Sequence, residues 1–223
     1  MRARKKGDKG FTLIEIIFVL GIIITLTAIF APLAMDKLSQ SSTVKAQADI
    51  DAIAASLTNF FSDLGNFPSC DSTTDCDPLS NAVNNLAFAA VCTGVGSCAS
   101  EYPGDSGALW NLTANDEVTE AINNFFNHVV INDPNQDATE NDPGTDYKTT
   151  KWKGPYIAKL GPDPYGNAYI IHVGAMQTNG APIGAGTPRG WILSAGPDGN
   201  LDTAPTASVL GGDDIGYIFC TNC

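Results

Sequence analysis

The chain has 223 residues, of which 24 are acidic and 12 are basic, for a formal net charge of −12 at pH 7. This length accommodates one globular domain plus a long helix, and it is short for two independent cores. Five of the basic residues lie within the first nine positions, so the rest of the chain is strongly acidic. That charge disfavours nucleic acid as a partner and favours divalent cations.

The amino terminus joins a short basic segment to a long apolar one. Residues 1–10 end in glycine, and no charged residue follows Glu15 until after Met35. About twenty apolar residues span a bilayer as a helix, so residues 16–35 are predicted to contact membrane lipid as a transmembrane segment. A cut before the apolar segment, where a conventional secretory signal would be cut after it, would leave this helix in the mature protein. Basic residues before the span predict a single-pass protein whose globular part lies outside the cytoplasm.

Glu15 is an unusual residue at the edge of this span. A charged group there costs about 2.5–3.5 kcal/mol on insertion scales unless it is compensated. The side chain can either reach the interface and water or meet a positive partner, and the pattern around it decides between these alternatives.

Residues 9–15, KGFTLIE, are similar to the processing site of type IV prepilins, and the amino-terminal segment resembles those proteins. The resemblance implies that a prepilin peptidase cleaves between Gly10 and Phe11 and methylates the new Phe11 amine. It also implies that Glu15 pairs with the amino terminus of a neighbouring subunit. Residues 1–10 would then be a leader peptide, and loss of Glu15 should hinder assembly more than folding.

An amphipathic pattern continues the apolar segment beyond Pro32. Apolar residues recur at steps of three and four, which is the period of a helix with one buried face: Ile50, Ile53, Leu57, Phe60 and Leu64. We therefore predict one helix over residues 11–65, ended by Gly65. Such a helix is about 75 Å long, so its first half must pack in lipid or against other subunits.

Residues 66–150 are predicted to form an irregular insertion with one helix. Asn115 or Asp116 can cap that helix, and its apolar face would pack in the core rather than form a binding groove: Val118, Ile122, Phe125, Phe126 and Val129.

Six cysteines form three close pairs in the sequence, Cys70 with Cys76, Cys92 with Cys98 and Cys220 with Cys223. Such pairs favour disulfides in an oxidising compartment, although six cysteines permit many connectivities and free thiols are the alternative. A zinc site is less favoured, because neither histidine stands at a ligand-like spacing.

Residues 151–223 are predicted to form a small antiparallel sheet that carries a cation-binding loop. Short apolar runs at 169–173, 191–193 and 215–219 are separated by Gly, Pro and Asp. Packed on the outer half of the long helix, they give an α+β fold. The first resemblance implies the same architecture, the pilin fold, with the insertion as a long loop region.

A second resemblance covers residues 152–171, WKGPYIAKLGPDPYGNAYII, which are similar to the stretch before the sheet in the major pseudopilins of type II secretion systems. Residues 163–167, DPYGN, are also typical of a structural turn, because Pro presets one backbone angle and Gly or Asn tolerates positive ones.

The loop before the last strand concentrates oxygen donors, which hard cations prefer. These are Asp198, Asn200, Asp202, Asp213 and Asp214. An EF-hand is excluded, because Thr203 and Val209 stand where its glycine and glutamate are needed. The pseudopilin resemblance implies structural calcium, held first by the side chains of Asp198, Asp213 and Asp214. Main-chain oxygens near Ala195 and Asn200 would complete the shell, and Asp202 is a possible extra ligand; the alternative is a solvated acidic turn.

These features predict a non-enzymatic structural subunit of a secretion pseudopilus or a related filament at the inner membrane, with its globular domain in the periplasm or outside the cell. The expected partners are further copies of the chain, minor pilins or pseudopilins, the inner-membrane assembly platform and the prepilin peptidase. An adhesive surface pilin is the first alternative. A membrane-tethered enzyme is disfavoured, because no nucleophile elbow, histidine metal motif or phosphate loop is present.

Overall fold

The computed structural model describes residues 10–68, 89–91, 102–110, 124–134, 146–159, 161–173 and 189–219. The chain forms two compact units, Met1–Ser41 and Ser42–Cys223. Among the described residues, the main elements are helix α1 (Leu13–Leu64) and strands β1 (Ala89–Val91), β2 (Gly104–Asp105), β3 (Tyr169–Ile171), β4 (Trp191–Ser194), β5 (Asn200–Leu201) and β6 (Ile215–Ile218).

Helix α1 confirms the long helix predicted from the sequence. It runs for 52 residues with Pro32 inside it. Among the described residues it is the one helix long and apolar enough to cross a membrane. At its end, Gly65 adopts a φ of 85° and donates its N–H to the Phe61 carbonyl at 2.7 Å. A positive φ is easily reached only by glycine, so this residue ends the helix as expected.

In the second unit, one stripe of α1 is buried against the sheet. The predicted apolar positions from Ile50 to Leu64 are all buried, and Ala46 extends the stripe by one turn. Phe60 packs edge-on against Tyr147 and Tyr156. The helical period of the sequence therefore identified the face of α1 that forms the core.

Strands β1, β3, β4 and β6 form an antiparallel sheet in that order. Ile170 of β3 is paired with Leu193 of β4, and Ile192 of β4 is paired with Tyr217 of β6. The α+β fold class is thus confirmed, and the three expected strands begin at the predicted residues. Strand β1 adds an edge strand from the insertion that the sequence pattern did not predict.

The sheet is covered on both faces. Side chains of successive strand residues point to opposite faces, so Ile192 enters the core beside α1 while Trp191 and Leu193 enter a second core. The second core also contains Trp110 from the insertion and Leu201 of β5. All four residues of β4 are buried for this reason.

The described part of the predicted insertion helix contains a π-helical turn, Asn127–Ile131. Phe125 and Val129 are fully buried in the core beside α1, which confirms core packing for these two residues. The proposed caps and Val118 and Ile122 lie outside the described residues. Asn132, with a φ of 56°, follows the turn, and its side-chain amide forms two hydrogen bonds with the Tyr147 backbone.

Candidate functional site

The acidic loop between β4 and β6 brings three carboxylates together. Oxygens of Asp198, Asp202 and Asp213 all lie within 4.8 Å of one another. Asp198 and Asp213 are exposed, whereas Asp202 is half-buried. The one ion pair within the described residues joins Lys153 to Asp63. In this part of the chain, therefore, no basic side chain forms an ion pair with the three carboxylates.

Backbone hydrogen bonds hold two of these carboxylates in place. The Asp198 N–H donates to Asp213 Oδ2 at 3.1 Å, and the Asn200 N–H donates to Asp198 Oδ1 at 2.7 Å. Gly196 has a φ of 67°, and a Cβ there would collide with the Asp213 carbonyl oxygen. Glycine is needed at position 196 for both reasons, because the turn that carries Asp198 passes directly against Asp213.

Asp214 has a different environment from its neighbours. Its Oδ2 accepts the N–H groups of Asp202 at 3.0 Å and Thr203 at 2.7 Å. Its Oδ1 is buried and has no hydrogen-bond partner among the described residues. Burial raises the pKa of Asp214, the bonds from Thr203 and Asp202 oppose that rise, and the nearby Asp202 charge adds to it.

The donor set fits a hard cation. Calcium takes six to eight oxygen ligands, often carboxylates and carbonyls. Three converging carboxylates provide that chemistry, and a bound cation would relieve their repulsion. The arrangement differs from the expected one in one respect. Asp202, expected as an extra ligand, lies in the cluster, whereas Asp214, expected among the first ligands, is not part of it and accepts two backbone N–H groups through Oδ2. Asn200 lies in β5 beside the cluster, and Ala195 is buried just before its turn.

The predicted turn at 163–167 supports the same loop. Asp163 is buried, and its Oδ1 accepts the N–H groups of Tyr165 and Asn167, each at 2.9 Å. Its Oδ2 accepts the Ser194 hydroxyl at 2.6 Å, and the Ser194 oxygen accepts the Gly196 N–H at 3.3 Å. The role of this segment as a structural turn is confirmed, and Ser194 connects it to the loop.

At the start of α1, Thr12 and Glu15 form a reciprocal pair. The Glu15 N–H donates to Thr12 Oγ1 at 3.3 Å, and the Thr12 N–H reaches Glu15 Oε2 at 3.5 Å. This is a capping box, which satisfies backbone donors at a helix start. Sequence reasoning missed it, although Thr-x-x-Glu before an apolar run is its signature. Gly10 and Phe11 are exposed just before it.

Several predicted sites lie outside the described residues. They comprise Lys9 of the processing motif and the six cysteines, Cys70, Cys76, Cys92, Cys98, Cys220 and Cys223. The disulfides proposed between these cysteines therefore stay a prediction.

Comparison with known proteins identified two similar pilins. Over 83 residues the chain is 29% identical to the toxin coregulated pilin of Vibrio cholerae serotype O1 (strain ATCC 39315 / El Tor Inaba N16961). It is 31% identical over 83 residues to a toxin coregulated pilin of Vibrio cholerae. Each match covers 37% of this chain and 37% of the relative. No family model matches the chain, and no solved structure matches it significantly.

The fold and these similarities support the pilin superfamily and a pilus-like structural subunit. The exposed apolar part of α1 fits a membrane-anchored protein with a globular domain outside the membrane. These observations apply to pilins and pseudopilins alike.

Proposed function

We propose that this chain is a structural subunit of a type II secretion pseudopilus or of a closely related type IV pilus-like filament. One observation carries the proposal. Every residue of α1 from Leu13 to Ser41 is exposed although the segment is largely apolar, whereas one face of the same helix is buried in a core from Ala46 onward. So long an exposed apolar surface needs lipid or other subunits to cover it.

Assembly uses the start of α1. After cleavage, the amine of Phe11 becomes the new amino terminus, four residues before Glu15. The capping box with Thr12 holds the Glu15 carboxylate at the positive end of the helix. The carboxylate then meets the amino terminus of a neighbouring subunit, which compensates its charge in the apolar filament core.

The resemblances add the other components of this proposal. A prepilin peptidase removes residues 1–10 and methylates Phe11 at the inner membrane. The assembly platform of that membrane, with minor pilins or pseudopilins, then adds the subunit to a homo-oligomeric filament. The globular domain lies in the periplasm or outside the cell, and disulfides between its cysteines belong to the same oxidising location.

Calcium is the proposed structural cation of the globular unit Ser42–Cys223, here called the head. Asp198, Asp202 and Asp213 supply the carboxylates that converge in the loop. Asp214 and main-chain oxygens near Ala195 and Asn200 are proposed to complete the shell. The bound cation ties the turn after β4 to the start of β6, so it stiffens the surface that the filament exposes.

The proposal is tested by the mass of the chain recovered from cells that carry a prepilin peptidase. We expect sheared filaments to contain a chain that begins with N-methylated Phe11. A Gly10→Val variant should keep its leader and stay in the membrane fraction. Gly21→Ala is the matched control, because a Cβ at this exposed helix position meets nothing within 4 Å. Filaments built from uncleaved chain would contradict the proposal.

A surface-fibre pilin is the second candidate, and the similarity to toxin coregulated pilins favours it. Electron microscopy of cells at native expression separates the two. Long extracellular fibres that contain this chain would favour the surface pilin. Loss of a secreted protein from the medium on deletion of the gene, without such fibres, would favour the pseudopilus.

A further inference from the structure

Residues 102–110, here called the docking segment, lie on the loop that carries the three carboxylates. Strand β2 of this segment pairs in parallel with β5, so that Gly104 is opposite Asn200 and Asp105 is opposite Leu201. The Gly104 N–H donates to the Gly199 carbonyl at 2.7 Å. A Cβ on Gly104 would collide with the Asn200 side chain, which would have to move to make room for it.

Trp110 makes the second attachment. Its indole N–H donates to the Thr203 carbonyl at 2.7 Å, and its side chain is buried in the second core. The Asp105 carboxylate accepts the Trp110 N–H, with both oxygens at 3.1 Å, which folds the segment back on itself. The docking segment therefore holds the loop at two carbonyls, Gly199 and Thr203.

These two attachments lie on either side of Asp202. Asp198 immediately precedes Gly199, and Asp202 immediately precedes Thr203. The N–H groups of Asp202 and Thr203 are held from another direction by Asp214. The backbone that supports two of the three carboxylates is thus held by the docking segment together with Asp214.

We propose that the docking segment positions the carboxylates for the cation and that its docking is coupled to cation binding. The inference rests on the cation site of the proposed function. Without a cation, repulsion among Asp198, Asp202 and Asp213 pushes the loop apart and weakens its hold on the segment. A bound cation draws the loop together and strengthens that hold. Coupling between two sites is reciprocal. Loss of docking must therefore weaken cation binding by the same free energy by which the cation strengthens docking.

The segment belongs to the insertion rather than to either stretch that resembles prepilins or pseudopilins. The coupling therefore makes the order of residues 102–110 depend on a cation bound in the loop between β4 and β6. Trp110 acts here as a positioning residue, since its indole bonds to the Thr203 carbonyl, which is not among the proposed cation ligands.

The test compares Trp110→Phe with Trp152→Phe in the full-length chain in detergent. Trp110→Phe keeps most of the ring packing and removes the indole N–H. Trp152→Phe removes an equivalent hydrogen bond, which the Trp152 indole donates to the His128 carbonyl at 2.9 Å. Both residues are far in sequence from the three carboxylates. Calcium affinity is measured by titration calorimetry, and hydrogen exchange of residues 102–110 is followed with calcium and with chelator.

We expect calcium to slow exchange across residues 102–110 in the wild type. Trp110→Phe should weaken calcium binding by about three- to tenfold, the range of one net hydrogen bond, whereas Trp152→Phe should bind calcium as the wild type does. Calcium binding with no change in exchange at 102–110, or equal affinity in both variants, would overturn the coupling and leave the cation site standing. No binding by the wild type would overturn both. The wild-type exchange result decides the question even if Trp110→Phe does not fold.

Discussion

The carboxylate of Asp163 accepts a hydrogen bond from the hydroxyl of Ser194 at 2.6 Å, and both residues are buried. The bond joins the turn before β3 to the end of β4. Because the same hydroxyl oxygen accepts the Gly196 N–H, it also determines where the carboxylate loop begins. The stability of the turn at residues 163–167 and the geometry of the carboxylate loop therefore both depend on the side chain of Ser194.

Ser194→Ala should lower the free energy of unfolding by about 1.5–3 kcal/mol, because Asp163 Oδ2 loses its donor and stays buried. Urea denaturation of the full-length chain in detergent measures the change. Ser208→Ala, at an exposed position of the same loop, is the matched control and should change little. Equal stabilities of the two variants would show that the hydrogen bond contributes nothing.

Calcium at a hundred times its dissociation constant should add about 2.7 kcal/mol of stability to the wild type. Thermal unfolding with calcium and with chelator measures this gain. Asp213→Asn should lose most of it, since a carboxylate of the cluster is neutralised while a hydrogen-bond acceptor for the Asp198 N–H is kept. Asp36→Asn, which changes an exposed acid on α1, should keep the gain. An unchanged melting temperature in the wild type would leave the loop as a solvated acidic turn.

Phe60→Ala should destabilise the head by about 3–5 kcal/mol, because a fully buried ring leaves a cavity beside Tyr147 and Tyr156. Its neighbour Phe61 is 38% exposed and supplies the control. Phe61→Ala should cost clearly less in the same denaturation experiment. The reverse order would mean that the buried face of α1 has been misidentified.

His172 should make the stability of the head depend on pH. Burial lowers its pKa, although a bond between Nδ1 and the Arg189 carbonyl at 2.8 Å opposes the shift. The folded state therefore binds the proton less readily than the unfolded state. The contribution of His172 to the free energy of unfolding is present above the ordinary histidine pKa of 6.5. It is lost as the pH falls below that value towards the lower pKa of the folded state.

Urea denaturation between pH 7.5 and 5.5 measures this effect, which is at most about 1.4 kcal/mol per pH unit for one proton. His172→Gln should flatten the dependence relative to the wild type. If both proteins lose stability in parallel over this range, the titration belongs to other groups.

The long helix was predictable because its signals are local. Steps of three and four identify the buried stripe around Leu57, and Gly65 supplies the positive φ that ends it. The capping box of Thr12 and Glu15 was equally local and was overlooked because Glu15 was considered only as a charge in the membrane. Strand β1 carries no comparable signal, since Ala-Ala-Val gains its strand conformation by pairing with β3.

The carboxylate site was predictable in composition but not in arrangement. Sequence identifies five oxygen donors between residues 198 and 214, yet it does not show that Asp214 bonds to the backbone of Asp202 and Thr203. Trp110 was not anticipated at all, because its contact with Thr203 joins residues that are 93 positions apart. Contacts of that kind follow from tertiary packing and leave no local pattern.

Assembly of Glu15→Gln into filaments tests the central claim most directly. Glutamine keeps the size of the side chain and an oxygen for the Thr12 N–H, and it removes the charge. Thr27→Val is the control within the span, since the Thr27 hydroxyl is satisfied within the helix by the Ile23 carbonyl at 2.8 Å. We predict that Glu15→Gln reaches the membrane in normal amount but is absent from sheared filaments, while Thr27→Val assembles. Filaments containing Glu15→Gln at the wild-type level would contradict the account.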